Sequence, residues 1–377
     1  MKILISSAFF KGSLSATHAA TAIERGLRRS GLDAELVSLP IADGGDGTLD
    51  AFLAGGGKRV TISVRDPLNR PIQADFGMLG DGTAVIEMAL ASGVALLHPR
   101  ELDPLRASTY GTGELMRAAL ERGARRMIVG MGGSATVDGG TGCLSALGVR
   151  FLDAKGRIVL PGGGNLRRIQ SIDVTGLDPR WRDVDVIIAS DVDNPTLGER
   201  GAAVVFAPQK GASPDEVRLL ENNLTHFFTV VSEQLGIDVR ATPGGGAAGA
   251  FAAGLMAFLG GRIESGIDLI LAVRGFEDQL ADADLVITSE GRIDTQTIGG
   301  KGPIGVARRA RERGVPTVAI VGGLDADDAL LHDAGMWAVL PITPKPMSLD
   351  EAIDDAETLV ERAALRLGYL LQIPRRH

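Results

Sequence analysis

Hydrophobic and polar positions along this chain follow two periods in alternation. "KILISSAF" (2–9) is a nearly continuous apolar run of strand length. "SATHAATAIERGLRRSG" (15–31) follows with Ala19, Ala22, Ile23 and Leu27 at the spacing of one helix face, and Gly31 closes it. "AELVSLPI" (34–41) reads as a second strand, so the chain begins β-α-β, the start of a parallel sheet. The rhythm then changes. "KRVTISVRDPLNRPIQADFGMLGDGTAVIEMA" (58–89) alternates apolar and polar residues around "DPLNRP" and "GDG" turns, which predicts hairpins and an antiparallel or mixed sheet. A helix over 111–124 and a strand over 125–133, "RRMIVGMGG", come next.

The last third returns to α/β alternation. Strands are expected over 283–291, 316–323 and 336–343, a helix over 303–314 with Pro303 in its first turn, and one long helix over 349–371. This predicts an α/β fold with a doubly wound, Rossmann-like domain formed by both chain ends, residues 1–60 and 284–377. A mixed α/β domain, residues 61–283, is inserted between them. A length of 377 residues suits two domains.

Composition sharpens this picture. The 51 glycines are about twice the usual share of roughly 7% and cluster between strand-like and helix-like runs. Two loops, "IADGGDGTLDAF" (41–52) and "TVDGGTGCLSAL" (136–147), share the frame D-G-G-x-G-x-L-x-A, which suggests backbone built to approach a ligand closely. The net charge of −8 argues against nucleic acid or a membrane surface as partner, so an anionic ligand would need locally gathered cations or backbone N–H groups. Cys143 is the only cysteine, which excludes an internal disulfide and points to a cytoplasmic protein. Lys11 interrupts the N-terminal apolar run, so a strand is expected there and not a signal peptide; the apolar run 247–261 is too short and glycine-rich to span a bilayer.

Several chemistries are missing. No P-loop is present: "GGKGP" (299–303) has Gly302 after its lysine and Thr295 where the first glycine belongs. No H-E-x-x-H, multi-cysteine zinc spacing or G-x-S-x-G occurs, and His18, His98, His226, His332 and His377 are scattered surface or core residues. "IVGMGGSA" approximates a dinucleotide fingerprint at Gly130, Gly132 and Ala135, with Asp153 at the acidic offset, but "TVDGG" follows where a helix is needed. An NAD-linked oxidoreductase is therefore an alternative reading.

Phosphate chemistry fits more of the chain. Helix-start N–H groups and cations hold phosphate oxygens. Such places are "FFKGSLSA" with Lys11 and Ser13, "GGSATVDGGTG" with Gly132, Gly133, Ser134 and Thr136, and "PGGGAAGAFAAG" with Gly245 and Gly246. "EGRIDTQTIGGKGP" adds Glu290, Arg292, Asp294 and Lys301. In "IIASDVDNPTLG" an apolar strand ends in Ser190, Asp191, Asp193 and Asn194, where a carboxylate can accept a hydroxyl proton or bind Mg2+. Each place also has a structural reading: helix caps for Ser13, Ser15 and Asp46, tight packing for the glycines, an ion pair for Arg292 and Asp294, an Asx turn before Pro195.

Taken in order, "FKGSLSA", "PIADGGDGT", "DPLNRP", "IEMALASG", "STYGTGEL", "GMGGSATVDGGTG", "DVDNPTLG", "GGGAAGA" and "EGRIDTQTIGGKGP" resemble the class I glycerate kinase family, the bacterial glycerate 2-kinase type, over nearly the whole chain. The resemblance implies ATP-dependent phosphorylation of glycerate at its 2-position, Mg2+, and two α/β domains around a cleft. On that reading Asp43 or Asp191 is the general base, Lys11, Lys301 and Arg292 offset phosphate charge, and Asp191 or Asp193 holds Mg2+. Arg65, Arg70 or Lys11 takes the glycerate carboxylate, beside Ser13, Asp46 and Asn194. Partners are then small molecules only, with a homodimer left open. The chain departs from the family's pattern at Ala8, Val137 and Ser289, where Asp, Asn and Gly are usual. Ala8 motivates a further alternative, a non-catalytic ligand-binding protein on a degenerate kinase scaffold.

Overall fold

The computed structural model describes residues 1–41, 45, 47–294 and 302–373. In chain order its strands are β1 (Lys2–Ser7), β2 (Glu35–Ser38), β3 (Lys58–Arg65), β4 (Pro71–Met78), β5 (Thr83–Glu87), β6 (Arg126–Gly130) and β7 (Arg150–Leu152). They continue as β8 (Ser171–Asp173), β9 (Asp185–Ala189), β10 (Arg262–Glu264), β11 (Leu285–Asp294), β12 (Thr317–Asp325) and β13 (Met336–Pro341). The chain divides into two compact units, residues 1–43 with 267–377, and residues 44–266.

In the first unit β1 is buried at every position after its first, as its apolar run requires. The sheet order is β13-β12-β11-β1-β2, all parallel. That is a doubly wound sheet whose winding reverses between β1 and β11, the place where such sheets bind ligands at their carboxyl ends. Helices cover both faces. Ile23 and Leu27 of the helix Ala16–Arg29 and Val360 of the helix Ala356–Leu371 pack with Ile5 and Ile287. Ile304 and Leu331 cluster with Val321 and Met336 on the other side.

The first pair of helices approaches backbone to backbone: a Cβ on Gly26 would lie 2.2 Å from the Glu361 carbonyl oxygen. The single C-terminal helix expected over 349–371 is in fact two, Leu349–Asp354 and Ala356–Leu371, parted at Asp355. The first segment buries no residue and stands on a Ser348–Glu351 capping box, whereas the second buries Ala356, Leu359 and Val360. Burial of the second stripe sets its axis, and the first is not obliged to follow it.

The second unit carries a six-stranded sheet, β10-β9-β6-β5-β4-β3, parallel from β10 to β5 and antiparallel from β5 to β3. The hairpin period in the sequence and the mixed sheet therefore agree. β7 and β8 form a separate antiparallel ribbon. One core gathers Phe76, Met116, Val129, Ile188 and Phe251, and another gathers Leu144, Phe151, Phe227 and Phe228. The latter rests on the helix Pro214–Leu235, which starts in a Ser213–Glu216 capping box and ends at left-handed Gly236. No helix of the described residues is long and apolar enough to cross a membrane.

Candidate active site

The parallel half of the second unit's sheet brings the carboxyl ends of β5, β6, β9 and β10 to one edge. Glu87 ends β5, and its carboxylate accepts the N–H groups of Gly47 (3.2 Å) and Leu49 (2.9 Å). The helix Thr48–Leu53 has no capping side chain of its own at left-handed Gly47, so this distant carboxylate supplies the cap.

After β6 comes the second glycine loop. Asp138 is fully buried and accepts four hydrogen bonds from three residues: Thr109 N (2.9 Å) and Oγ1 (3.0 Å), Gly140 N (3.1 Å) and Gly142 N (3.1 Å). Thr109 Oγ1 in turn accepts from Cys143 N at 2.9 Å. One carboxylate thereby serves the starts of the helices Tyr110–Glu121 and Thr141–Ala146. Burial pushes the Asp138 carboxyl up, against the downward pull of those hydrogen bonds.

Lys210 lies beneath this loop, only 2% exposed. Its Nζ donates to Ser134 Oγ and to the Thr136 carbonyl, each at 2.7 Å. Burial pulls the ammonium down to about 7, with the charge of Asp138 opposing. The loop is braced from a second side. Ala248, Gly249 and Ala250 are all left-handed (φ 54°, 66° and 65°), and the Gly249 carbonyl accepts from Gly139 N at 3.1 Å. A Cβ on Gly249 would come within 2.1 Å of the Thr136 carbonyl oxygen. Two alanines in a region that costs L-residues roughly 1–2 kcal/mol each are strain of the kind concentrated at functional sites. Thr136 Oγ1 is buried with no hydrogen-bond partner among the described residues.

After β9, Asp191 Oδ1 accepts Gly266 N at 3.0 Å. Asp193 is exposed and pairs with Arg200 at 3.1 Å. Asn194 donates through Nδ2 to the Arg200 carbonyl (2.8 Å), while its own carbonyl accepts from Gly246 N (3.0 Å). A Cβ on Gly245 would meet Thr196 Oγ1 at 2.3 Å, and one on Gly246 the Pro195 carbonyl at 2.4 Å, so close packing against residues 194–196 requires these glycines. Among the described residues no group of three or more His, Cys, Asp or Glu side chains is arranged to hold a metal ion. Mg2+ commonly takes one or two carboxylates together with substrate phosphates, and the donor set of the described residues fits only that mode.

The two arginines of "RDPLNR" separate. Arg70 is held by Asp66 (2.5 Å) and Glu101 (2.7 Å). Arg65 bonds Asn69 Oδ1 at 2.7 Å and lies 5.5 Å over the Tyr110 ring. It lines a cavity of about 460 Å³ with Arg106, Tyr110 and Asn165.

In the first unit, Lys11, Ser13 and Arg292 border one cavity of about 540 Å³. Lys11 stands in a tight turn in which Leu14 N donates to the Phe10 carbonyl at 3.0 Å, and Arg292 pairs with Asp325 at 2.6 Å. Ser13 Oγ donates to the Phe10 carbonyl at 3.3 Å, and Ser15 caps the helix Ala16–Arg29. Glu290 and Asp294 lie on β11. Asp43, Asp46 and Lys301 lie outside the described residues.

The dinucleotide alternative loses its footing in the geometry. β6 ends at Gly130, and no helix opens before Thr141. Asp153 is occupied in its own turn, accepting from Lys155 N (2.8 Å) and Arg157 Nε (2.9 Å). Glu87, Asp138 and Lys210 escaped the sequence reading; only the Asp138 frame was visible there, as a repeat and not as a cap.

Known proteins bear on this arrangement. The glycerate kinase family model matches residues 3–372. A Bacillus subtilis (strain 168) protein named glycerate kinase is 47% identical over 366 residues, covering 97% of this chain and 96% of its own. The Escherichia coli (strain K12) glycerate 2-kinase is 45% identical over the full length of both chains. A crystal structure described as that of a glycerate kinase 2 from Salmonella typhimurium LT2 superposes with a TM-score of 0.85 at 43% identity, covering 99% of this chain and 98% of that one. With a family model spanning nearly every residue and relatives matched end to end, this chain belongs to the glycerate kinase family.

Proposed function

We propose that the protein phosphorylates glycerate at its 2-hydroxyl with ATP as donor and Mg2+ as cofactor. The observation that carries this reading is the match to the family over residues 3–372, together with end-to-end similarity to a relative named glycerate 2-kinase. The chemistry of the residues suggests the roles. The loop of Gly132, Gly133, Ser134 and Thr136, fixed from below by Lys210, would hold phosphate oxygens through backbone N–H groups and the Ser134 hydroxyl. Lys11 and Arg292 offset phosphate charge, and Arg65 receives the glycerate carboxylate. Asp191 is the residue that would hold Mg2+, which when bound neutralises the charge on the β- and γ-phosphate oxygens.

In the transfer, the acceptor oxygen bonds to the γ-phosphorus as the bridging oxygen departs with ADP. The hydroxyl proton passes to a carboxylate, Asp43 or Asp191. Positioning and charge compensation account for most of the acceleration in such a reaction. The test is an ADP-release assay over small hydroxy acids, followed by phosphorus NMR of the product. Turnover with glycerate and a phosphate on carbon 2 are expected; no release above background with glycerate would remove the proposal. A phosphate on carbon 3 would overturn the assigned position.

A further inference from the structure

The cavity of about 540 Å³ in the first unit lies over the carboxyl ends of β1, β11, β12 and β13. Its size falls within the roughly 300–1,000 Å³ span of small-molecule pockets. Part of its lining is apolar side chain: Phe10 after β1, Ile342 after β13, and Ile353 of the helix Leu349–Asp354. Another part is bare backbone, from Gly291 on β11 and Gly322 and Gly323 on β12.

These glycines differ in kind. A Cβ on Gly322 would lie 2.4 Å from the Gly291 carbonyl oxygen, and one on Gly291 3.1 Å from Lys11 N, so packing demands both. Gly323 is under no such demand. It pairs with Arg292 across the sheet, and a Cβ there would meet nothing nearer than Arg292 Cγ at 3.8 Å. Its φ is not among the positive ones. Gly323 borders the cavity without a side chain, and a larger residue there has no close neighbour that bars it from intruding on the lining. Charge completes the description, because Lys11 and Arg292 stand at the border, the latter in an exposed pair with Asp325.

A cavity lined by apolar side chains and bare glycine backbone, with two cations at its border, suits a planar heteroaromatic ring with an anionic tail. We infer that this cavity binds the adenine and ribose of the nucleotide, with the phosphates leaving past Lys11 and Arg292. The inference rests on the reading of the protein as an ATP-dependent kinase and assigns the base to the first unit.

Two occlusions test it from separate parts of the lining. Gly323→Leu fills the cavity from β12 without strained backbone. Leu349→Trp fills it from the exposed start of the helix Leu349–Asp354, where a larger side chain does not disturb a core. Calorimetric titration with ADP is expected to give a dissociation constant raised at least about tenfold in each variant, relative to wild type. Steady-state assays should show KM for ATP raised in parallel, with kcat at saturating ATP retained, a split that a general loss of fold would not produce. If wild type phosphorylates glycerate while both variants bind ADP with unchanged affinity, the base lies elsewhere and this assignment alone falls. If wild type neither binds nor releases ADP, the kinase reading falls with it.

Discussion

The Nζ of Lys210 lies 2.7 Å from the hydroxyl of Ser134, inside a core where the lysine is all but inaccessible. Two acceptors, Ser134 Oγ and the Thr136 carbonyl, hold the amine in place, and a neutral amine still has two N–H groups to give them. The folded state therefore tolerates deprotonation. Burial has lowered the ammonium from its ordinary value of 10.5 to about 7. Below pH 7 both folded and unfolded chains bind this proton, and the cost of the buried charge is present in full. As pH rises from about 7 to 10.5 the unfolded chain keeps a proton that the folded chain has lost, so stability rises, by at most about 1.4 kcal/mol per unit. Urea unfolding of wild type and Lys210→Met across pH 6–10 reads this directly. The difference between them should shift in favour of wild type as pH rises; a constant difference would mean that the lysine is not titrating from a buried site.

Asp138 predicts a loss of stability with little tolerance for isosteres. Its two oxygens accept from three backbone N–H groups and one hydroxyl. Asn at this position has one carbonyl oxygen and turns its NH2 toward donors, leaving at least one buried N–H unpaired. Each such group costs about 1–3 kcal/mol. Asp138→Asn should therefore lower unfolding free energy by roughly 2 kcal/mol or more, measured by urea titration. A variant within about 0.5 kcal/mol of wild type would show that the carboxylate is not the common cap of the two helices.

The proposed proton acceptor can be separated from its rival by paired substitutions. A true general base contributes about 10²–10⁴ in rate. Asp43→Asn and Asp191→Asn should therefore divide, one losing kcat by that factor at saturating Mg2+. If Asp191 serves the metal, its variant should instead recover part of its activity as Mg2+ is raised. Near-normal turnover in both folded variants would remove both from the base role.

Much of the architecture is written in local periodicity. β1 and the first halves of β11 and β12 are continuous apolar runs because both faces are covered, whereas β3 and β4 alternate because part of that hairpin is exposed. The break at Asp355 is not visible in that way. "LDEAIDDAETLVERAALRLGYLL" keeps helix-forming residues throughout, and only the start of the buried stripe at Ala356 divides it. The site is legible where a glycine loop announces it, at 132–142, and silent where the partner is remote. A lysine between Gln209 and Gly211 looks solvated until the fold brings it to a loop 76 residues away. The repeated D-G-G frame likewise hides a difference: Asp138 caps its own loop, while Gly47 and Leu49 are capped by Glu87 from a strand end. Ala8 and Ser289, two departures from the family pattern, prove to be neighbours, with Ala8 N donating to the Ser289 carbonyl at 3.0 Å across β1 and β11.

Arg65 and Arg70 stand at the two ends of one turn and differ in what remains free to bind a ligand. Arg70 is committed to Asp66 and Glu101, and the Asp66 side chain is only 2% exposed. Arg65 has one neutral partner, Asn69, faces the ring of Tyr110, and borders a cavity. A hydrogen bond to a charged group contributes about 1.5–3 kcal/mol, so Arg65→Ala should raise KM for glycerate roughly ten- to hundredfold, with KM for ATP little changed. Arg70→Ala should act on the fold instead, lowering the thermal midpoint because a buried carboxylate loses its cation, with a smaller change in KM for glycerate. Steady-state kinetics on both variants, with midpoints measured alongside, decides between them. If Arg70→Ala shows the larger rise in KM at an unchanged midpoint, the carboxylate of the substrate is bound at the other end of the turn.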